Sequence, residues 1–293
     1  MKPIITLLFS CLPFALFAQS LMSSDPGEAQ FITTDIDNFW AAYDKMDIEK
    51  NPFSEYLDQG SVGLKDFIPY RIESDKNLLK TVKKRKDDYL AIRDKLDLSI
   101  VNQKILTYYK KLASLYPEAQ FPTTYYVIGA FNSGGTASKN GIIIGVEVLQ
   151  GQLATAEFMV AHESVHFNQN YPKSITLLGQ CIREGAADFI AGLMIDSDLS
   201  DRYSFQYGSE HEEELCKDFT QIMNDKNYHG WLYGGKRKEG MPKDMGYWMG
   251  YKICEAYYQN AEDKKTAVKE ILNIADYQSF LSKSGYLNSF MSQ

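Results

Sequence analysis

Histidine, cysteine and tryptophan are scarce in this chain: four, four and three among 293 residues. No two cysteines stand in a CxxC spacing, which excludes zinc ribbons and dithiol redox motifs. Basic residues are in deficit, 31 Lys and Arg against 38 Asp and Glu, for a formal charge of −7. A nucleic-acid partner wants a basic face, so that class is set aside. Internal repeats and low-complexity linkers are absent. One apolar run stands out, Ile4 to Ala18, and it is too short to span a bilayer comfortably. No other stretch is long and apolar enough to cross a membrane.

That run follows a single lysine in MKPIITLLFSCLPFALFAQS and ends on a small residue before a polar one. The pattern is that of an export signal, with cleavage expected after Ala18 and the mature protein periplasmic or secreted. A second reading makes Cys11 the lipid anchor of an outer-membrane lipoprotein. Without residues 1–18 the charge becomes −8, and three cysteines remain, Cys181, Cys216 and Cys254. An odd count leaves at least one thiol unpaired; buried thiols or one bridge both fit. Residues 19–293 suffice for one large domain.

Along that domain, Ile36, Phe39, Trp40 and Tyr43 recur at helical spacing, and residues 51–71, with two prolines and two glycines, read as mostly loop with short helical turns. Residues 74–116 predict two antiparallel helices; their basic run KTVKKRKDD is a solvated face. The period then changes. TTYYVIGAF (123–131) and NGIIIGVEVL (140–149) are β-branched and apolar, and they flank the turn-rich NSGGTASK. Helices are expected again near 154–170, 174–195, 209–224, 245–260 and 263–274, with a short last one. The expected class is α+β, mostly helical with a small antiparallel or mixed sheet. A helical part spans about 31–117 and a catalytic part about 121–293.

Two of the four histidines fall in VAHESVHFNQ (160–169). His162 and His166 are four apart, so on a helix they share a face and can occupy neighbouring corners of a tetrahedral metal site. Glu163 lies beside them, placed to take a proton from the attacking water. A catalytic site needs a third protein ligand, and CIREGAADFI supplies Glu184 after a turn near Tyr171–Pro172. Asp188, one turn further, can accept the other ring N–H of a ligand histidine and so fix its tautomer. Gly185 and Ala186 are small enough for close helix packing there. Cys181, three residues before Glu184, reads as a buried thiol rather than a fourth ligand.

The pattern His162-Glu163-x-x-His166 with Glu184-x-x-x-Asp188 resembles that of the gluzincins, the thermolysin-like zinc metallopeptidases. Over nearly the whole mature chain, TTDIDNFW, VIGAFNSGGT, GIIIG, HESVH, EGAADF and GYWMGY resemble a bacterial family of exported zinc-dependent proteases that includes the gliding-motility lipoprotein GldB group. The resemblance implies a zincin-type domain with one Zn²⁺ per chain, a peptide or protein substrate, and a sheet packed on the HExxH helix. It also implies an edge strand that pairs with an extended substrate; GIIIGVEVL is the candidate, with Gly141 and Gly145 letting a second backbone come close.

For the oxyanion of peptide hydrolysis the candidates are His229, Tyr247 and Tyr251, of which the resemblance favours the two tyrosines. His211, in the acidic SEHEEEL, is not a candidate. Two other readings stand beside the enzyme: a catalytically silent cell-envelope factor that keeps the fold for docking, and a helical binding protein in which HExxH is accidental.

Overall fold

The computed structural model describes residues 22–291, so the stretch expected to be an export signal, Cys11 included, lies outside the described residues. Two short strands, β1 (Met22–Ser23) and β2 (Phe31–Ile32), lead into helices α1 (Thr34–Asp44), α2 (Phe53–Asp58), α3 (Val62–Phe67), α4 (Asp75–Lys84), α5 (Lys86–Arg93) and α6 (Leu98–Leu115). Strands β3 (Phe121–Pro122), β4 (Thr124–Val127), β5 (Gly135–Ser138) and β6 (Gly141–Gly145) follow. The remainder is helical: α7 (Val146–Leu149), α8 (Leu153–Asn168), α9 (Leu177–Ile195), α10 (Tyr203–Glu210), α11 (Glu212–Ile222), α12 (Met245–Asn260), α13 (Lys264–Leu272), α14 (Tyr277–Ser284) and α15 (Asn288–Met291). The class is α+β.

The main sheet runs β2-β4-β6-β5, parallel except for β5, which pairs antiparallel with β6. Helices cover both faces. Tyr125 points to α3, where Gly63 leaves room for its ring, while Tyr126 on the opposite face donates to Asn102 of α6 at 2.7 Å. Helix α8 lies along the same side as α6, its Met159 against Gly134 and Gly135. A strand buried on both faces reads as an unbroken apolar run, and all five residues of β6 are buried.

This overturns the edge-strand expectation. GIIIG is an interior strand, and the outer edge belongs to β5, drawn from the turn-rich stretch before it. A second backbone does approach the two glycines, but it is the chain's own. A Cβ at Gly141 would stand 2.2 Å from the Thr123 carbonyl oxygen, and one at Gly145 2.2 Å from that of Ser133. VEVL is helix α7. Local contacts also reshape the helical expectations: the short helical turns expected in 51–71 are α2 and α3, which take up most of that stretch, and 74–116 holds three helices. Arg85 interrupts the first of these, its backbone (φ −120°, ψ 34°) being both the end of α4 and the start of α5.

Helix α9 is buried almost all round and serves as the central post, with α8 and α12 packed against it. Its contact with α12 is backbone on backbone. A Cβ on Gly185 would lie 2.1 Å from the Gly250 carbonyl carbon, and one on Gly250 would lie 1.7 Å from the Cys181 carbonyl oxygen. Helix α9 starts where Thr176 Oγ1 caps the Gly179 N–H at 3.3 Å. Helix α8 is pinned at its end by Asn168, whose side chain accepts from the Gln120 N–H at 2.7 Å and donates to the Gln120 carbonyl at 2.9 Å. Cys181, Cys216 and Cys254 are buried free thiols, so the bridge reading falls.

Two predictions follow from this packing. Gly250→Ala forces α12 off α9 and should lower stability by about 3 kcal/mol or more, read as the midpoint of urea unfolding. The second concerns Glu147 on α7, fully buried, with Oε1 accepting from the Phe131 N–H at 3.1 Å and Oε2 lacking a partner. Burial pushes its carboxyl up to about 7 from the ordinary 4.5, against the pull of backbone N–H groups. The folded chain keeps this proton longer than the unfolded one, so stability is full below about 4.5 and drops as pH rises to about 7. The drop is on the order of 3 kcal/mol. Glu147→Gln should remove this contribution, so that the difference in unfolding free energy between the two ends of that window shrinks by about that amount relative to wild type.

Candidate metal centre

Helices α8 and α9 bring three donors to one point. His162 Nε2 and His166 Nε2 are 3.1 Å apart, and Glu184 Oε2 lies 3.5 Å from the first and 3.4 Å from the second. An ion held at 2.0–2.1 Å by three corners of a tetrahedron requires donor separations of about 3.3–3.4 Å. The triangle observed fits that requirement.

The outer ring nitrogens show which way the lone pairs point. His162 Nδ1 is 2.8 Å from Asp188 Oδ1, and His166 Nδ1 is 2.8 Å from Gln169 Oε1. The Gln169 amide is oriented by its own donation to the Arg183 carbonyl at 2.8 Å. A carboxylate and an amide oxygen only accept, so in both neutral rings Nδ1 carries the hydrogen. Both Nε2 lone pairs then face each other and the Glu184 carboxylate, an arrangement that calls for a cation. These three residues could hold a metal ion, and no fourth His, Cys, Asp or Glu among the described residues joins the group. Cys181 is buried elsewhere, against Gly246.

The surroundings stiffen this set. Asp188 is 1 % exposed and also accepts from Arg202 Nη1 at 2.9 Å; the guanidinium lies 3.9 Å over the Phe158 ring, one turn before His162. Burial pulls the His162 imidazole down, but Asp188 and Glu184 outweigh it and push the ring up to about 10. Glu184 is itself held well below the ordinary carboxylate range: burial works to raise it, and the two histidines overcome that. With no metal bound, protons take the cation's place, so metal uptake expels them.

Glu163 is half-buried between the two ligands in sequence, with no hydrogen-bond or ion-pair partner among the described residues. The oxyanion candidates separate. Tyr247 stacks on the His162 ring at 6.0 Å, and burial together with Glu184 pushes its hydroxyl well above the ordinary range. Tyr251 is 5 % exposed and packs between Phe189 and Phe205, behind α9 rather than at the donors. His229 bonds Asp225 at 2.8 Å in the loop before α12. No hydrogen bond, ion pair or ring contact joins either of them to His162, His166 or Glu184 among the described residues. His211 stacks on Tyr207 and stays outside the site.

A residue absent from the sequence reading does bond to the ligand set. The Tyr233 hydroxyl donates to Glu184 Oε1 at 2.7 Å, leaving Oε2 for the metal. It comes from a loop of seven positive-φ residues among 229–244, five of them at His229, Gly230 and Tyr233–Gly235. The Tyr-Gly-Gly signal marks a sharp bend but not its destination.

With the ligand set in place, the family match carries weight. Residues 121–280, more than half of the chain, match the family described as Predicted Zn-dependent protease (DUF2268). The chain belongs to that family. No curated protein and no solved structure matches it. The family's segment contains every residue of the centre: both histidines, Glu163, Glu184, Asp188 and Tyr233. Purified protein is expected to carry about one metal ion per chain by mass spectrometry. His166→Ala should lose it, and Asp188→Asn should bind it about 10- to 100-fold more weakly.

Proposed function

We propose that this protein is an exported zinc metallopeptidase of gluzincin type, related to the gliding-motility lipoprotein GldB group, with His162, His166 and Glu184 holding one Zn²⁺. The observation that carries this is the triangle of donors 3.1–3.5 Å apart with both outer nitrogens committed to hydrogen bonds. Bound zinc supplies a Lewis acid that polarises a carbonyl and makes water a better nucleophile. Glu163, with no hydrogen-bond or ion-pair partner among the described residues, takes the proton from the attacking water and delivers it to the leaving amine. The Tyr247 hydroxyl, kept protonated by burial and by Glu184, is the donor at hand for the carbonyl oxygen as it gains charge, whereas the Tyr233 proton is committed to Glu184.

An extended peptide fits along β5. That strand is one of the sheet's two edges, the other being β2, and a Cβ on Gly134, just before β5, would meet Met159 of the ligand-bearing helix, so a strand added at β5 would lie beside His162. The base, the ligands and the orienting groups are all present, which favours the enzyme over the catalytically silent factor.

Glu163→Gln separates chemistry from binding. Turnover of a peptide library should fall by about 10²- to 10⁴-fold while metal content stays at the wild-type level. A Glu163→Gln protein with full activity would sink the mechanism.

A further inference from the structure

The loop between α11 and α12 does more than carry Tyr233 to Glu184. It wraps around a cavity of about 690 Å³ lined by Tyr228, His229, Tyr233, Lys236, Arg237 and Lys238, among others. Tyr233 belongs to both places, walling the cavity with its ring and donating its hydroxyl to Glu184. The cavity therefore lies within one tyrosine's length of the metal donors.

Its cations are not all spoken for. Lys238 pairs with Glu214 and Asp218, and the His229 ring with Asp225. Lys236 and Arg237 have no ion-pair partner among the described residues. The Arg237 stem packs against Gly230, where a Cβ would come within 2.6 Å of it, and this holds the side chain to the cavity wall. In a chain of formal charge −7, two unpaired cations beside a metal centre are a local inversion of sign. Two adjacent basic side chains with aromatic walls match a carboxylate on a short apolar stem.

We propose that this cavity is a substrate subsite for a carboxylate, filled by an aspartate or glutamate side chain near the bond to be cut. The proposal rests on the peptidase reading and names its substrate class. Lys236 and Arg237 are then the residues that set specificity, and Tyr233 couples the occupied subsite to Glu184.

The test uses zinc-supplemented Glu163→Gln protein, so that peptides bind without being consumed. Fluorescence anisotropy is measured with extended peptides amidated at the C-terminus, in twins that differ only by Glu or Gln. A third set carries Gln and a free C-terminal carboxylate. The Glu peptides should bind about tenfold or more tighter than their twins, and the gap should narrow as salt is raised. Adding Lys236→Ala and Arg237→Ala together should close most of it; adding Lys236→Glu and Arg237→Glu should favour Lys-containing peptides instead. Selectivity for the free-terminus set alone would reassign the subsite to a chain terminus and overturn the side-chain proposal. No binding of any peptide, equal binding of the twins, or a preference that survives both double variants would also overturn it. Metal content of each variant, measured in parallel, keeps the two readings apart: loss of zinc binding in the parent protein defeats the peptidase, while acid selectivity abolished by the double variants would still stand.

Discussion

Two imidazole lone pairs and a carboxylate oxygen held 3.1–3.5 Å apart repel or compete for protons unless a cation lies among them. Most of the architecture serves to keep them there. The histidines ride on one helix, so their spacing is set by helix geometry alone. Glu184 comes from another helix, and its position depends on where that helix is stopped. The glycine contact between α9 and α12 is that stop, one residue past the ligand. Asp188 and Gln169 then turn the rings, Arg202 holds Asp188, and Phe158 holds Arg202. Each added layer is bonded to the one inside it, which is how a polar cluster survives in an apolar interior.

The same logic accounts for the buried Glu147. The three ligands and Asp188 can keep their charges because each has a partner, whereas Glu147 has a backbone N–H for one oxygen and none for the other. Burial without compensation drives a carboxyl toward its neutral form. One protein thus shows both outcomes of placing an acid inside it.

Much of the centre was legible in the sequence because its information is local. The interval from His162 to His166, and again from Glu184 to Asp188, is one helical turn, and periodicity reports such pairs directly. Tyr233 was illegible because a glycine-rich loop has no period, and its reach of 49 residues back to Glu184 is set by φ angles that composition does not reveal. The error over the sheet has a different cause. Strong β-propensity with continuous apolar character marks a strand covered on both faces, which is an interior strand; the polar GTAS of β5 carries almost no strand signal because its outer side faces no partner. Fold class was easier, since alternating runs of helical and strand periodicity survive errors at their boundaries. The loop share of 51–71 was overestimated because prolines and glycines there sit at helix starts and tight contacts rather than in turns.

The shortness of β5 has its own consequence. An open sheet edge is a hazard for self-association, and four residues of small polar character make it a poor template for a second copy. The same four residues bound what can be threaded beside the centre. A strand rises about 3.3 Å per residue, so the edge offers hydrogen bonds over a little more than 10 Å of extended chain. Regular helices and paired strands have already spent their backbone groups and cannot lie there. Under the proposed activity, local melting of the target chain, rather than attraction to its surface, would govern which proteins are cut and where.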